Sequence, residues 1–346
     1  MNLKELSHLL GISQTTVSRA LNGYPEVSEA TRARVIAAAQ AHNYSPNTRA
    51  QGLATGHSRC IGHVISVNDS GEMVNPIFGD FMAGAGETYA AHGYDMMMTR
   101  VGAQDESDTY RNLQARGAVD GLVVHAPRNS DARLPLLTEI GLPFVVHGRS
   151  TGTDLDYSWL DVNNRRAFQD AARYLVSLGH SRIGLINGQE TLDFAIRRRE
   201  GYVSALAEAG LSVDPTLMVS GEMTEKYGFA SASAMLDLPN PPSAFLVSSI
   251  ICAVGVRRAL DARDLKQGSD VSIVTFDDCL SYFANGSETP VFTAMQSSVR
   301  AAGAALAQML IDRINTPDAP HTQTLWEADF VIGPSTGPYK SPHTKD

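Results

Sequence analysis

Residues 3–22 constrain what this chain can fold into more than any other stretch. Leu3, Leu6, Leu9 and Leu10 recur at spacings of three and four, with Lys4, Glu5 and His8 on the other faces, which is the pattern of a short helix with one buried stripe. Gly11 suits a helix end at positive φ, Ile12 the corner that follows, and Ser13 the cap of a second helix. In that second helix Val17, Ala20 and Leu21 face inward and Gln14, Thr15, Ser18 and Arg19 face outward. Ser28 announces a third helix, from which Val35, Ile36 and Ala39 close a three-helix core.

Two short helices joined by so tight a turn form a helix-turn-helix, whose second helix enters the DNA major groove. The outward residues suit that task, because Arg pairs with guanine, Gln pairs with adenine, and hydroxyls at a helix start meet phosphate oxygens. A solvated surface helix pair would show the same periodicity. Charge distinguishes the two readings: residues 1–57 carry five Lys or Arg against three Asp or Glu, a balance of +2, in a chain of net charge −9. A mildly basic head on an acidic body points to a local nucleic-acid contact.

Four segments of the head resemble the lactose-repressor/galactose-repressor family of transcription factors. They are Thr15-Thr16-Val17-Ser18-Arg19-Ala20-Leu21-Asn22, Val27-Ser28-Glu29-Ala30-Thr31-Arg32, Tyr44-Ser45-Pro46-Asn47 and Ala50-Gln51-Gly52-Leu53. The resemblance implies base reading by Gln14, Thr15 and Arg19, and phosphate contacts from Ser13, Thr16, Ser18, Asn22 and Thr31. It also implies a hinge helix over about 46–54 that brings Asn47 and Ala50 to the DNA and wedges Leu53 into the minor groove, beside its counterpart from a second subunit. The residues agree with a marginal hinge. Ser45-Pro46 caps a stretch too short to be helical alone, and Gly52 weakens it by roughly 1 kcal/mol. A plain flexible linker is the alternative.

At 346 residues, the chain has room for a head of about 57 and a body of two lobes. No apolar run approaches the ~20 residues of a membrane span, and the N-terminus opens directly into a charged helix, so a soluble cytoplasmic protein is expected. Cys60, Cys252 and Cys279 are scattered and read as core or near-core thiols, without disulfide or zinc.

From Arg59 onward, short apolar runs alternate with helical ones. Strand-like segments fall at 61–67, 94–98, 121–125 and 143–147, and a second series falls at 182–186, 243–247 and 271–275. Such alternation predicts two parallel sheets flanked by helices, with a ligand cleft beyond the strand C-termini. The fold class is therefore multi-domain: an all-α helix-turn-helix headpiece at 1–57, then an α/β two-lobed core at 58–336 and a polar tail at 337–346. The lobes are expected at about 58–157 with 291–318, and at 158–290 with 319–336.

The resemblance extends through the body, over Asn75-Pro76-Ile77-Phe78, Gly179-His180-Ser181-Arg182-Ile183-Gly184, Arg198-Arg199-Glu200-Gly201-Tyr202 and Phe276-Asp277-Asp278. It implies a periplasmic-binding-protein-like effector core in which Asn75, Phe78, Arg198, Ser249 and Asp277 line the cleft. An arginine fork and a carboxylate complement the hydroxyls of a sugar or the polar edge of a purine. Against this, Arg198 belongs to a run of three arginines of the kind usually solvated. Asp277 could simply cap a turn, Phe78 could be core, and Met223 and Trp159 read as packing. The chain departs from the family at Ser248-Ser249, where a carboxylate is lost, and at Ser297-Ser298, where Gln-Pro is common.

No His-Glu-x-x-His pair or complete glycine phosphate loop is present. Gly84-Ala85-Gly86 reads as helix packing, and no enzyme activity, metal or cofactor is expected. A periplasmic binding protein, a core sensing a non-sugar ligand or partner protein, and a constitutive repressor are the competing readings. The resemblance implies a homodimer on a pseudo-palindromic double-stranded DNA operator, probed by a small-molecule effector, most simply a carbohydrate. The polar C-terminus has no leucine heptads and argues against a tetramer.

Overall fold

The computed structural model describes residues 1–44, 56–66, 75–102 and 105–340. The hinge, with Asn47, Ala50 and Leu53, lies outside the described residues.

The head begins with helices α1 (Leu3–Leu10), α2 (Gln14–Leu21) and α3 (Glu29–Ala41). Asn2 and Glu5 form a reciprocal capping box on α1, Gly11 ends it at φ +63°, and Ser13 caps α2 by accepting from the Thr16 amide. Leu6, Val17, Ala20, Val27, Val35 and Ala39 make the core, with Leu3, Leu10, Ile12 and Leu21 packed around it. Leu9 and Ile36 were expected inside but lie exposed at 55% and 40%. Eight-residue helices crossing at an angle bury one or two side chains each, so the ends of the apolar stripe remain at the surface.

The body holds two six-stranded sheets. The first contains β1 (Cys60–Ser66), β2 (Asp95–Val101), β3 (Gly121–His125), β4 (Phe144–His147), β5 (Trp159–Val162) and β11 (Gln323–Trp326), in the order β11-β5-β4-β3-β1-β2 and parallel throughout. The second contains β6 (Ile183–Asn187), β7 (Met218–Ser220), β8 (Ala244–Val247), β9 (Ser272–Asp277), β10 (Thr293–Gln296) and β12 (Asp329–Val331), in the order β12-β10-β9-β8-β6-β7 with β12 alone antiparallel. The chain therefore changes sheet at points other than those expected at 157, 291 and 319. Residues 159–162 and 323–326 pair with each other in the first sheet, while 293–296 pair with β9 in the second. These short strands follow polar segments, and register against a neighbour decides their membership. The expected polar tail is also anchored as far as Tyr339. Gly337 O accepts from the Ser272 hydroxyl at 3.2 Å, and Tyr339 N donates to Leu178 O at 2.8 Å.

Helices α4 (Pro76–Ala91), α5 (Glu106–Ala115), α6 (Arg133–Glu139) and α11 (Val299–Asn315) flank the first sheet, and α7 (Asn164–Ser177), α8 (Asp193–Glu208), α9 (Glu225–Leu236) and α10 (Ile250–Asp261) flank the second. Helices α4 and α11, which carry cleft residues, approach through a reciprocal glycine notch. A Cβ on Gly84 would stand 2.0 Å from Arg300 O, and one on Gly303 would stand 2.2 Å from Phe81 O. Backbone against backbone leaves no flexible group to yield. Gly84→Ala is expected to destabilise the core by about 2 kcal/mol, read as a lowered thermal midpoint; a midpoint equal to wild type would show that the notch is not tight.

Candidate functional site

Parallel strands of both sheets end at one cleft, which encloses about 260 Å³. The first lobe contributes Val64 and Ile65 from β1, His125 and His147 from the ends of β3 and β4, and Asn75, Ile77, Phe78 and Phe81 from the start of α4. The second contributes Leu192, Phe194, Arg198, Met223, Phe276 and Asp278. The lobes meet at both flanks. Thr151 Oγ1 donates to Asp193 Oδ1 at 3.0 Å and Asp193 N to Pro127 O at 2.9 Å; on the other side, Ser281 N donates to Asp80 Oδ2 at 2.6 Å.

The three-arginine run divides by role. Arg197 pairs with Asp193 and Arg199 with Glu190, whereas Arg198 is buried. Its Nε donates to Asn164 Oδ1 at 2.7 Å and its Nη1 to Ser248 O at 2.6 Å. Its guanidinium carbon lies 5.0, 4.9 and 4.2 Å from the ring centres of Phe168, Phe194 and Phe276. Nη2 has no hydrogen-bond partner among the described residues, nor is it sealed from the cavity. Burial pulls this guanidinium down to about 10, against the pull of Asp278 and Asp161.

Asn75, Phe78 and Arg198 of the expected contacts line the cavity. Asn75 also caps α4, accepting from Ile77 N at 3.0 Å. Ser249 and Asp277 do not line it. Ser249 is fully buried and caps α10 through the Ile251 amide, while Asp277 accepts from Cys279 N and Gln296 Nε2, both at 2.8 Å. Ser249 is thus spent on a local amide and Asp277 on a local amide and the Gln296 side chain, and the carboxyl at the cavity is that of Asp278. Alternation along β9 explains the exchange, since Phe276 and Asp278 share a face and Asp277 points to the other. Cys279, expected near the core, is exposed at φ +54° on the turn that follows.

Several lining residues carried no signal strong enough to single them out. His125 and His147 end their strands, a position that in a parallel sheet marks the ligand face. Asp161 accepts from Arg149 at 2.8 Å, and Arg149 lies over Trp159, which serves as packing. Ser297 and Ser298 line the cavity where the family pattern has Gln-Pro.

In the head, Gln14, Thr15, Arg19 and Asn22 are exposed, and Ser13 is exposed at the helix start. Thr16 and Ser18 are half-buried. The Thr16 hydroxyl shares a hydrogen bond with Ser13 at 2.8 Å, and the same pairing recurs at Ser28 and Thr31 at 2.9 Å. Both helix starts therefore present paired hydroxyls and free amides.

A helix-turn-helix head joined to a two-lobed α/β core with a ligand-sized cleft defines a DNA-binding regulator of the effector-responsive class. Residues 2–47 match the family described as bacterial regulatory proteins, lacI family, and residues 63–332 match periplasmic binding proteins and sugar binding domain of LacI family. The chain belongs to the lacI family of transcriptional regulators. It is 45% identical over 339 residues to the HTH-type transcriptional regulator AglR of Rhizobium meliloti (strain 1021), covering 98% of this chain and 95% of that one. The solved complex of the transcriptional regulator CelR with cellobiose superposes with TM-score 0.71 at 26% identity, covering 97% and 99% of the two chains. The lac repressor dimer bound to operator and the anti-inducer ONPF shares the fold at TM-score 0.82 and 23% identity over 97% and 99%.

Burial raises the Asp278 carboxyl to about 7, with Arg198 opposing and Asp277 adding to the shift. The folded state therefore holds this proton more tightly than the unfolded chain, whose ordinary value is 3.8, and ionisation across that window costs stability. Asp278→Asn is expected to match wild type near pH 4 and to gain in thermal midpoint relative to it as pH rises to 8. A difference that stays constant with pH would contradict the buried carboxyl.

Proposed function

We propose that this regulator is a cytoplasmic, non-catalytic repressor whose operator binding is switched by a sugar or sugar derivative held in the cleft. The observation that supports it most is the presence at the cleft of two polar groups without a hydrogen-bond partner among the described residues, Arg198 Nη2 and the Asp278 carboxyl, beside the rings of Phe78, Phe194 and Phe276. A fork donor and a carboxyl suit vicinal hydroxyls, and the apolar rings suit the carbon faces of a pyranose. The relative solved with cellobiose adds weight to an uncharged oligosaccharide. Asn75 and Phe78 complete the contact set on the first lobe.

On DNA, Gln14, Thr15 and Arg19 read bases and Ser13, Thr16, Ser18, Asn22 and Thr31 hold phosphates, while Asn47, Ala50 and Leu53 act from the hinge. The working parts are a head of residues 1–57, a core of 58–336 and the C-terminal segment. Two subunits bind a pseudo-palindromic operator, because one head reads only a half-site. The sugar draws the two lobes together and so alters the separation of the two hinges.

Isothermal calorimetry with cellobiose, maltose, sucrose and glucose tests the pocket. At least one is expected to bind, and Arg198→Ala to weaken it by roughly 100-fold, the loss of a charged hydrogen bond with its buried partner groups. Binding indifferent to Arg198 would refute this site.

A further inference from the structure

Behind the first-lobe wall of the cleft lies a chain of three polar rings that the proposed switch does not use. Tyr89 and His63 are buried at 1% and 0% exposure, on α4 and β1. The Tyr89 hydroxyl lies 3.3 Å from His63 Nε2, and His63 Nδ1 lies 2.9 Å from Nε2 of His125. The two imidazoles are stacked at 5.2 Å between centroids, and Phe78 and Phe81 stand edge-on to His125 at 5.1 and 4.9 Å, fixing its ring plane. His125 Nδ1 has no partner among the described residues and is not sealed, and His125 lines the cavity.

A neutral imidazole has one donor and one acceptor nitrogen, so the chain of bonds has a direction. Tyr89 sets it. A buried O–H left without an acceptor costs about 1–3 kcal/mol, and the one hydrogen bond that the Tyr89 hydroxyl makes among the described residues is to His63 Nε2. Tyr89 therefore donates to His63 Nε2, which puts the His63 proton on Nδ1. His63 then donates to His125 Nε2, which puts the His125 proton on Nδ1. A protonated, cationic His125 is disfavoured by its surroundings: His63 and His147 flank it, and Arg133 donates to its backbone oxygen at 3.0 Å. Burial holds His63 at about 3 and His147 at about 4, and holds His125 well below its ordinary value.

We propose that His125 is a specificity-determining contact that presents a neutral Nδ1–H donor to an acceptor oxygen of an uncharged polyol, and that Tyr89, through His63, is the positioning residue that fixes this tautomer. The ligand class rests on the sugar reading above; the tautomer does not.

Nitrogen NMR of the full-length protein labelled at histidine ring nitrogens separates the two. With resonances assigned by His63→Phe and His125→Phe, wild-type His125 is expected as the Nδ1–H tautomer, neutral from pH 5.5 to 8, and Tyr89→Phe is expected to shift it to a mixture. An Nε2–H tautomer, a titration in that range, or a tautomer unmoved by Tyr89→Phe would overturn the relay. Calorimetry with the panel of cellobiose, maltose, sucrose and glucose provides the second arm. His125→Phe should weaken whichever sugar binds about tenfold and Tyr89→Phe a few-fold, the scale of one hydrogen bond, whereas His125→Phe binding within twofold of wild type would remove His125 from the contacts. If none of these sugars binds wild type, the sugar reading and the polyol contact fall together, while the NMR arm still decides the tautomer.

Discussion

The core is organised around a buried cation that has no ion-pair partner of its own among the described residues. Taking a guanidinium out of water costs several kcal/mol unless its donors are met. Arg198 meets that cost with a side-chain amide at the start of α7, a carbonyl at the end of β8 and three ring faces, which fixes how α7, α8, β8 and β9 sit relative to one another. One face of the guanidinium is left unspent, toward the cavity. The nearest cavity carboxyl, Asp278, is itself raised to about 7, and neither group fully satisfies the other. A ligand that bonds both relieves an electrostatic strain already built into the second lobe, and it favours one arrangement of the lobes over another only by also meeting first-lobe groups such as Asn75 and Phe78.

The head needs such a partner. Its helices are eight to thirteen residues long and its core is six buried side chains, so it is well capped but small. A head of this size that reads a half-site gains from a second head at a set separation. Flank contacts at Asp193 and Asp80 tie the lobes near the cleft.

Much of this was legible in the sequence. Caps and breakers do local work, so Gly11, Ser13 and Ser28 placed the helices of the head, and the apolar runs placed seven strands. Strands β5, β7, β10, β11 and β12 escaped because three or four residues carry too little periodicity, and their sheet is chosen by distant partners. In the site, Arg198 and Phe78 followed from motif position, but a one-residue alternation decided between Asp277 and Asp278, and that depends on where β9 ends. The histidines were invisible for a different reason: His63, His125 and Tyr89 are 26 to 62 residues apart, and only the parallel pairing of β1 with β3 brings them into line.

The central claim is that occupancy of the cleft and occupancy of the operator are coupled. Linkage makes this directly measurable, because the factor by which a sugar changes operator affinity must equal the factor by which the operator changes sugar affinity. Fluorescence anisotropy on a selected operator duplex, with and without a saturating sugar from the panel, paired with calorimetry of that sugar with and without duplex, gives both. Equal factors of fivefold or more, the usual range of such coupling, are expected. A sugar that binds the cleft while operator affinity stays unchanged would contradict the account.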